Sequence, residues 1–284
     1  MRFRLSAWGA LLGAFLLLGH EWQLLPDGNL HVALLDIGQG DAILITTPRN
    51  QRILFDGGPD LTVLERLEEE LPFFSRHLDL LILSHTDADH VTGLPEVMRR
   101  YDVDRVMLTG VVRDTAVYQA FLEEVKKSDA EIIIADSEHD LDFGGGVLLD
   151  VLWPAENISG KVVKEPNNSS IVAKLIYQDH PTSPDGLHGA SILFTGDIEE
   201  KVEEELLKLG LDLDADILKV PHHGSKTSSS EAFLRAVSPE LAVISVGAEN
   251  TYGHPNPAVL ARYKALKIPV RRTDREGKVE VVFE

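Results

Sequence analysis

A chain of 284 residues, 44% of them hydrophobic, can bury one large core or two ordinary ones, and nothing in its composition points to wholesale disorder. Its 46 acidic against 27 basic residues leave a net charge of −19, which repels a polyanion at long range and argues against high-affinity general nucleic-acid binding, though not against a local basic patch beside a dication. Cysteine is absent, so disulfides, thiolate metal ligands, thiol catalysis and lipid attachment at a cysteine are all excluded.

Residues 1–25 stand apart. Arg2 and Arg4 precede an uncharged apolar run from 5 to 19, and Glu21 follows shortly after. A basic start and a short apolar stretch predict a secretory signal or signal-anchor, with an uncleaved anchor favoured for want of a clear cleavage site. The alternative is an N-terminal core helix. Residues 26–284 are expected to form one exported domain on the cell surface or periplasmic side, membrane-anchored or secreted.

From residue 30 the pattern turns to strands, at 31–36, 42–47 and 52–55. They are punctuated by Gly38 and Gly40, where a substrate could approach the main chain, and by the turn Asp56-Gly57-Gly58. Leucines at three-to-four spacing predict a helix over 61–71. A strand-length apolar run at 78–83 then opens into Ser84-His85-Thr86-Asp87-Ala88-Asp89-His90. Two imidazoles and two carboxylates gathered at the exit of a buried strand suit zinc, manganese or iron. A merely polar surface loop is the bland alternative.

Thr92 is expected to cap a helix reaching about residue 101. Strand 103–108, helix 118–127 and strand 131–135 follow, which argues for α/β layers. A hairpin over 140–153 turns at Gly144-Gly145-Gly146. Asn167-Asn168-Ser169-Ser170 opens a strand at 171–177, and 179–189 looks like a loop insertion. Strand 191–194 delivers Thr195-Gly196-Asp197, a carboxylate at a strand end, and the acidic helix 198–209 is expected to face its charges to solvent. Strand 215–220 ends in Pro221-His222-His223-Gly224-Ser225. Lys226 and the serines 228–230 then open a helix to 237, and hydroxyls, a helix N-terminus and one lysine would suit a phosphoryl oxygen. A simple N-cap explains them equally well. Strand 241–246 precedes Tyr252-Gly253-His254-Pro255, a helix spans 257–266, and strands near 270–274 and 278–283 complete the sheet edge.

The sequence His85-x-Asp87-x-Asp89-His90 resembles the metal motif of the metallo-β-lactamase superfamily, usually His-x-His-x-Asp-His, with Asp87 replacing the second histidine. Joined with residues 36–41, Asp56-Gly57-Gly58, the Asn167-Asn168 motif and the Tyr252–Pro255 motif, it resembles the hydrolase domain of the ComEC competence proteins and their free-standing relatives, over residues 30–284. That resemblance implies an α/β fold, a four-layer αββα sandwich of two mixed sheets with the ligand loops along one edge. It also implies two divalent ions, zinc or manganese. His85 and Asp87 would hold one, Asp89 and His90 the other, with Asp197 bridging and His222 completing the shell. No histidine stands where many members carry a third one ahead of the bridging aspartate.

Around this set, Asp36 and Asp56 are expected to orient ligating imidazoles. Gln39, Asp41, Asn168, Ser170, His223, Ser225 and Lys226 are expected to support the site or meet substrate. His254 would be a ligand or a proton donor to the leaving group, and Asp89, Asp197 and His254 are the catalytic candidates. The implied activity is metal-dependent hydrolysis by a water activated between dications, with a phosphodiester as substrate: a small diester or single-stranded nucleic acid rather than long duplex. A phosphorylcholine-esterase-like or other ester hydrolase is the alternative, with lactams disfavoured by Asp87. An alternative of another class is a non-catalytic, membrane-tethered module that binds DNA or an uptake channel.

Overall fold

The computed structural model describes residues 21–22, 24–178 and 189–283. Most of the expected signal or anchor, and all but the last residue of the expected insertion at 179–189, lie outside the described residues.

Two seven-stranded sheets form the centre of the molecule. In spatial order the first comprises Val279–Phe283, Leu30–Leu34, Ile43–Thr46, Arg52–Phe55, Leu80–Ile82, Arg105–Leu108 and Glu131–Ile134. The second comprises Val270–Arg272, Leu241–Ile244, Ile217–Lys219, Gly189–Phe194, Val172–Gln178, Val147–Trp153 and Leu141–Gly144. Each sheet is antiparallel over one half and parallel over the other. The strand Val279–Phe283 pairs antiparallel with Leu30–Leu34, Val32 opposite Val281, and forms one edge of the first sheet.

Alternation along the strands builds three apolar layers. Leu30, Val32 and Leu34 point between the sheets, while Ala33 and Leu35 point outward under helices. Phe55 and Phe194, with ring centroids 4.8 Å apart, join the two inner faces. Helices Thr62–Glu70, Leu94–Arg100 and Ala116–Lys127 cover the outside of the first sheet, with Leu67, Val97 and Phe121 fully buried. Helices Glu200–Leu209, Glu231–Val237 and Pro257–Ala265 cover the second through Leu206, Phe233 and Tyr263. This is the four-layer α/β sandwich with two mixed sheets.

Two local expectations need correction. Thr92 does not cap the following helix: its hydroxyl donates to the Ala88 carbonyl (2.6 Å), closing the short helix Ala88–Val91, and Gly93 precedes Leu94–Arg100. The acidic helix does not send every charge to solvent. Glu203 is fully buried and accepts from the Ser229 and Ser230 backbone N–H groups (2.5 and 2.8 Å).

Candidate metal centre

Parallel strands of both sheets end at one edge, and the loops leaving those ends carry the polar residues. From the first sheet, Phe55 leads to Asp56, and Ile82 leads to Ser84 and His85. From the second, Phe194 leads to Asp197, Lys219 leads to His222 and His223, and Ile244 leads to Ser245. The crevice beyond the carboxyl ends of parallel strands is where such folds gather ligands.

Ligand-type atoms of Asp89, His90, Asp197 and His223 lie within 4.8 Å of one another. His223 Nε2 is 3.2 Å from Asp197 Oδ2 and 3.5 Å from Asp89 Oδ2, and His90 Nε2 is 3.3 Å from Asp197 Oδ2. His85 packs beside this quartet, its ring centroid 4.1 Å from that of His90, with Nε2 3.9 Å from Asp87 Oδ2. Arg113 approaches the other oxygen of Asp87 at 3.5 Å.

The Nδ1 atoms explain why the Nε2 atoms face inward. His90 Nδ1 donates to Asp56 Oδ2 (2.8 Å), and His223 Nδ1 donates to the Ser245 carbonyl (2.8 Å). Ser84 gives its own proton to Asp56 (2.6 Å), so its oxygen is left to accept from His85 Nδ1 (3.1 Å). Each acceptor fixes a tautomer whose Nε2 lone pair is free. The Nε2 atoms of His85, His90 and His223, and Asp197 Oδ1, are all buried without a hydrogen-bond partner among the described residues. Orphaned buried acceptors are costly, and their convergence here fits a divalent cation.

Without a cation, protons take its place. Burial lowers the affinity of His223 for a proton, but Asp197 and Asp41 outweigh it and raise the group to about 9. His90 follows the same course: burial opposes, Asp197 and Asp56 prevail, and it is held well above the ordinary imidazole value. His85 goes the other way, since burial and then the neighbouring His90 charge push it well below. Burial works to raise Asp197, yet His223, His90 and Lys219 hold it well below the usual carboxylate range.

Residues 35–160 and 184–248 match the metallo-beta-lactamase superfamily. The chain belongs to that superfamily. It is 32% identical over 281 residues to ComE operon protein 3 of Bacillus subtilis (strain 168), covering 89% of this chain and 33% of that protein. It is 33% identical over 286 residues to Competence protein ComA of Neisseria gonorrhoeae, covering 97% of this chain and 35% of that protein. The chain therefore spans about a third of the length of these curated relatives. Among solved structures, the metallo-beta-lactamase fold protein YhfI from Bacillus subtilis superposes with a TM-score of 0.54 at 13% identity, covering 89% of this chain and 99% of that one. The fold is thus that of the metal-dependent hydrolases of the superfamily.

Within this superfamily frame, several expected residues occupy other places. His223, not His222, stands in the quartet. Both adopt left-handed backbone angles (φ 51° and 49°), and this double turn drives the second ring inward. His222 Nε2 is 3.9 Å from Asp197 Oδ2 and 3.3 Å from Asn167 Nδ2, and its side chain keeps 21% exposure. Asp36 orients no imidazole among the described residues. Its carbonyl instead accepts from Arg66 Nε (2.8 Å).

Gly40 approaches the metal loop rather than a substrate, because a Cβ there would lie 2.0 Å from the Asp89 carbonyl oxygen. Gln39 accepts from the Gly247 N–H (3.3 Å), and Asn168 accepts from the Glu199 N–H (3.2 Å). Ser170 accepts from the Asp197 N–H (3.0 Å), so it holds the Asp197 backbone. The expected phosphoryl cradle at the serine run is already filled by the Glu203 carboxylate. Ser225 turns to Thr227 (3.0 Å), and Lys226 is exposed. His254 lies outside the quartet, its ring 5.5 Å from that of His222. Burial and the neighbouring His222 and His223 push it down to about 4, so it is neutral at pH 7.

Lys219 has the largest role that sequence reasoning missed. Its ammonium, 1% exposed, pairs with Asp41, lies 3.6 Å from Asp197 Oδ1 and donates to the Gly196 carbonyl (3.1 Å). The available signal was a lysine inside an otherwise apolar strand, Ile217–Lys219, just before the paired histidines.

Proposed function

We propose that the chain is a phosphodiesterase that acts on single-stranded nucleic acid or small diesters, with two divalent cations, zinc or manganese, at an exported or membrane-tethered site. The observation that carries this reading is the convergence of the buried Nε2 atoms of His90 and His223, without a hydrogen-bond partner among the described residues, on the carboxylates of Asp89 and Asp197, with His85 Nε2 buried alongside and facing Asp87. Further support comes from the relative named Competence protein ComA, together with a 30%-identical relative named Recombination protein 2 from Haemophilus influenzae, since phosphodiesters are the backbone bonds of DNA.

Asp89, His90, Asp197 and His223 would hold one cation, and His85 with Asp87 would contribute to the other. When bound, such cations supply positive charge to a phosphoryl oxygen and acidify water. Asp56, Ser84 and Ser245 keep the imidazoles in the ligating tautomer, so no reorganisation is required as substrate arrives. Lys219 adds a fixed positive charge behind Asp197. His254, neutral and half-buried beside His222, would orient a leaving oxygen through a hydrogen bond rather than deliver a proton at pH 7. The charge of −19 disfavours long duplex, whose affinity rests on phosphate neutralisation, and favours short or single-stranded substrates.

Hydrolysis of bis(p-nitrophenyl) phosphate by the full chain, loaded separately with zinc and manganese, tests the proposal beside Asp197→Ala. Metal-dependent turnover abolished in the variant is the expected result. No turnover with either metal, despite bound ions, would move the activity to ester substrates or to binding alone.

A further inference from the structure

Tyr252 is 69% exposed, yet its ring is held: it lies over the His254 imidazole with centroids 5.9 Å apart and planes inclined by only 15°. The His254 backbone beneath it is fixed at both ends. Asn250 accepts from the His254 N–H (3.0 Å) and donates to the His254 carbonyl (2.7 Å), and the same amide donates to the Gly247 carbonyl (2.8 Å). His254 in turn meets His222 edge-on, with ring centroids 5.5 Å apart and planes at 68°, and His222 Nε2 lies 3.9 Å from Asp197 Oδ2. Three rings thus lead from solvent to the carboxylate at the middle of the metal centre.

Isolated exposed aromatics are ordinary on protein surfaces. This one differs in being stacked flat on a second ring, on a braced loop, at the edge of the ligand cluster. At 69% exposure the ring is accessible to a planar partner. The charge of the molecule points the same way. With a net −19, a nucleotide chain gains little long-range attraction away from the cations, so a second source of affinity must act at short range. Base stacking on an aromatic ring does so and tolerates any base, and because the contact joins uncharged rings, salt has little in it to screen.

We infer that the Tyr252–His254 stack is a base-binding platform, which holds a nucleobase of single-stranded nucleic acid while a phosphate of the same strand lies at the metal centre. This rests on the phosphodiesterase reading for the identity of the strand, but the platform is testable without turnover. Tyr252 acts here as a specificity residue; the hydroxyl is not required, only the ring.

The test is equilibrium binding, by fluorescence anisotropy, of a short labelled oligothymidylate and of the same backbone with abasic sites, to the metal-loaded full chain. Wild type is expected to prefer the base-bearing strand by about tenfold, within the range that stacking supplies. Tyr252→Ala should narrow that gap to about twofold, and Tyr252→Phe should keep it. The preference should survive an increase of salt that weakens both strands. Equal binding of the two strands by wild type, or a gap unchanged in Tyr252→Ala, would overturn the platform. Where strands are also cut, the Tyr252→Ala loss should fall on KM rather than kcat. Base-dependent binding without cutting would keep the platform and remove the hydrolytic reading, so the two fail separately.

Discussion

Lys219→Met removes one charge from a fully buried ion pair of the site while keeping a side chain of similar length. In the native protein the ammonium is 1% exposed and its partner Asp41 2% exposed, with Asp56 and Asp197 also buried nearby. Burial opposes the charge on Lys219, but Asp41 and Asp197 raise its proton affinity above the ordinary lysine value, so it is cationic at neutral pH. Its loss leaves Asp41 with only the more distant imidazoles of His223 (3.5 Å) and His90 (3.9 Å). Breaking a buried pair from one side costs about 3–5 kcal/mol. In a domain of this size each kcal/mol moves Tm by about 2–4 °C, so the chelated variant should melt roughly 10 °C below chelated wild type by scanning calorimetry. Asp41→Asn combined with Lys219→Met removes both charges, and it should recover most of that loss because the neutral pair no longer strands a carboxylate. A single variant within about 2 °C of wild type, or a double variant no more stable than the single one, would refute the reasoning.

Other expectations follow from the same geometry. Asp56→Asn weakens the acceptor that fixes His90 and should reduce cation affinity by roughly 10–100-fold in competition titrations against a chromophoric chelator, with the fold intact by circular dichroism. Cation binding must displace protons from His90 and His223, both raised, the latter to about 9. Since the ligating form is the deprotonated one, affinity should rise with pH through neutrality and keep rising at least to the His223 value. Calorimetry in buffers of different ionisation enthalpy should show about two protons released at pH 7. Glu203→Ala leaves the Ser229 and Ser230 amides without their buried acceptor and should cost about 2–4 kcal/mol in urea unfolding, with metal content unchanged.

Much of this centre was legible because its chemistry lies where apolar strands stop. His85, Asp89, His90 and Asp197 each follow a run that could only be a buried strand, and glycines such as Gly196 allow the tight exit. A Cβ at Gly196 would lie 2.7 Å from the Ser170 side chain. The choice between His222 and His223 was not legible, because consecutive residues on a regular chain point apart. Which of the two turns inward is set by the two left-handed residues in succession, and neither residue type advertises that turn. Lys219 escaped for a different reason: its partner Asp41 lies in the other sheet's loops, far away in sequence, and no local pattern encodes so distant a charge pair. Gly40 looked like an approach for substrate because a glycine shows that something comes close, not what. The serine run looked available for the same kind of reason, since its amides are claimed by a glutamate hidden in a helix that reads as solvated.

Metal stoichiometry of the full chain, measured by plasma mass spectrometry after loading and desalting, tests the central claim most directly, with His223→Ala and His222→Ala alongside. Two divalent ions per chain in wild type, at least one of them lost in His223→Ala and both retained in His222→Ala, is the predicted result. Fewer than one ion per chain in wild type, or loss in His222→Ala with retention in His223→Ala, would contradict the centre as built from these residues.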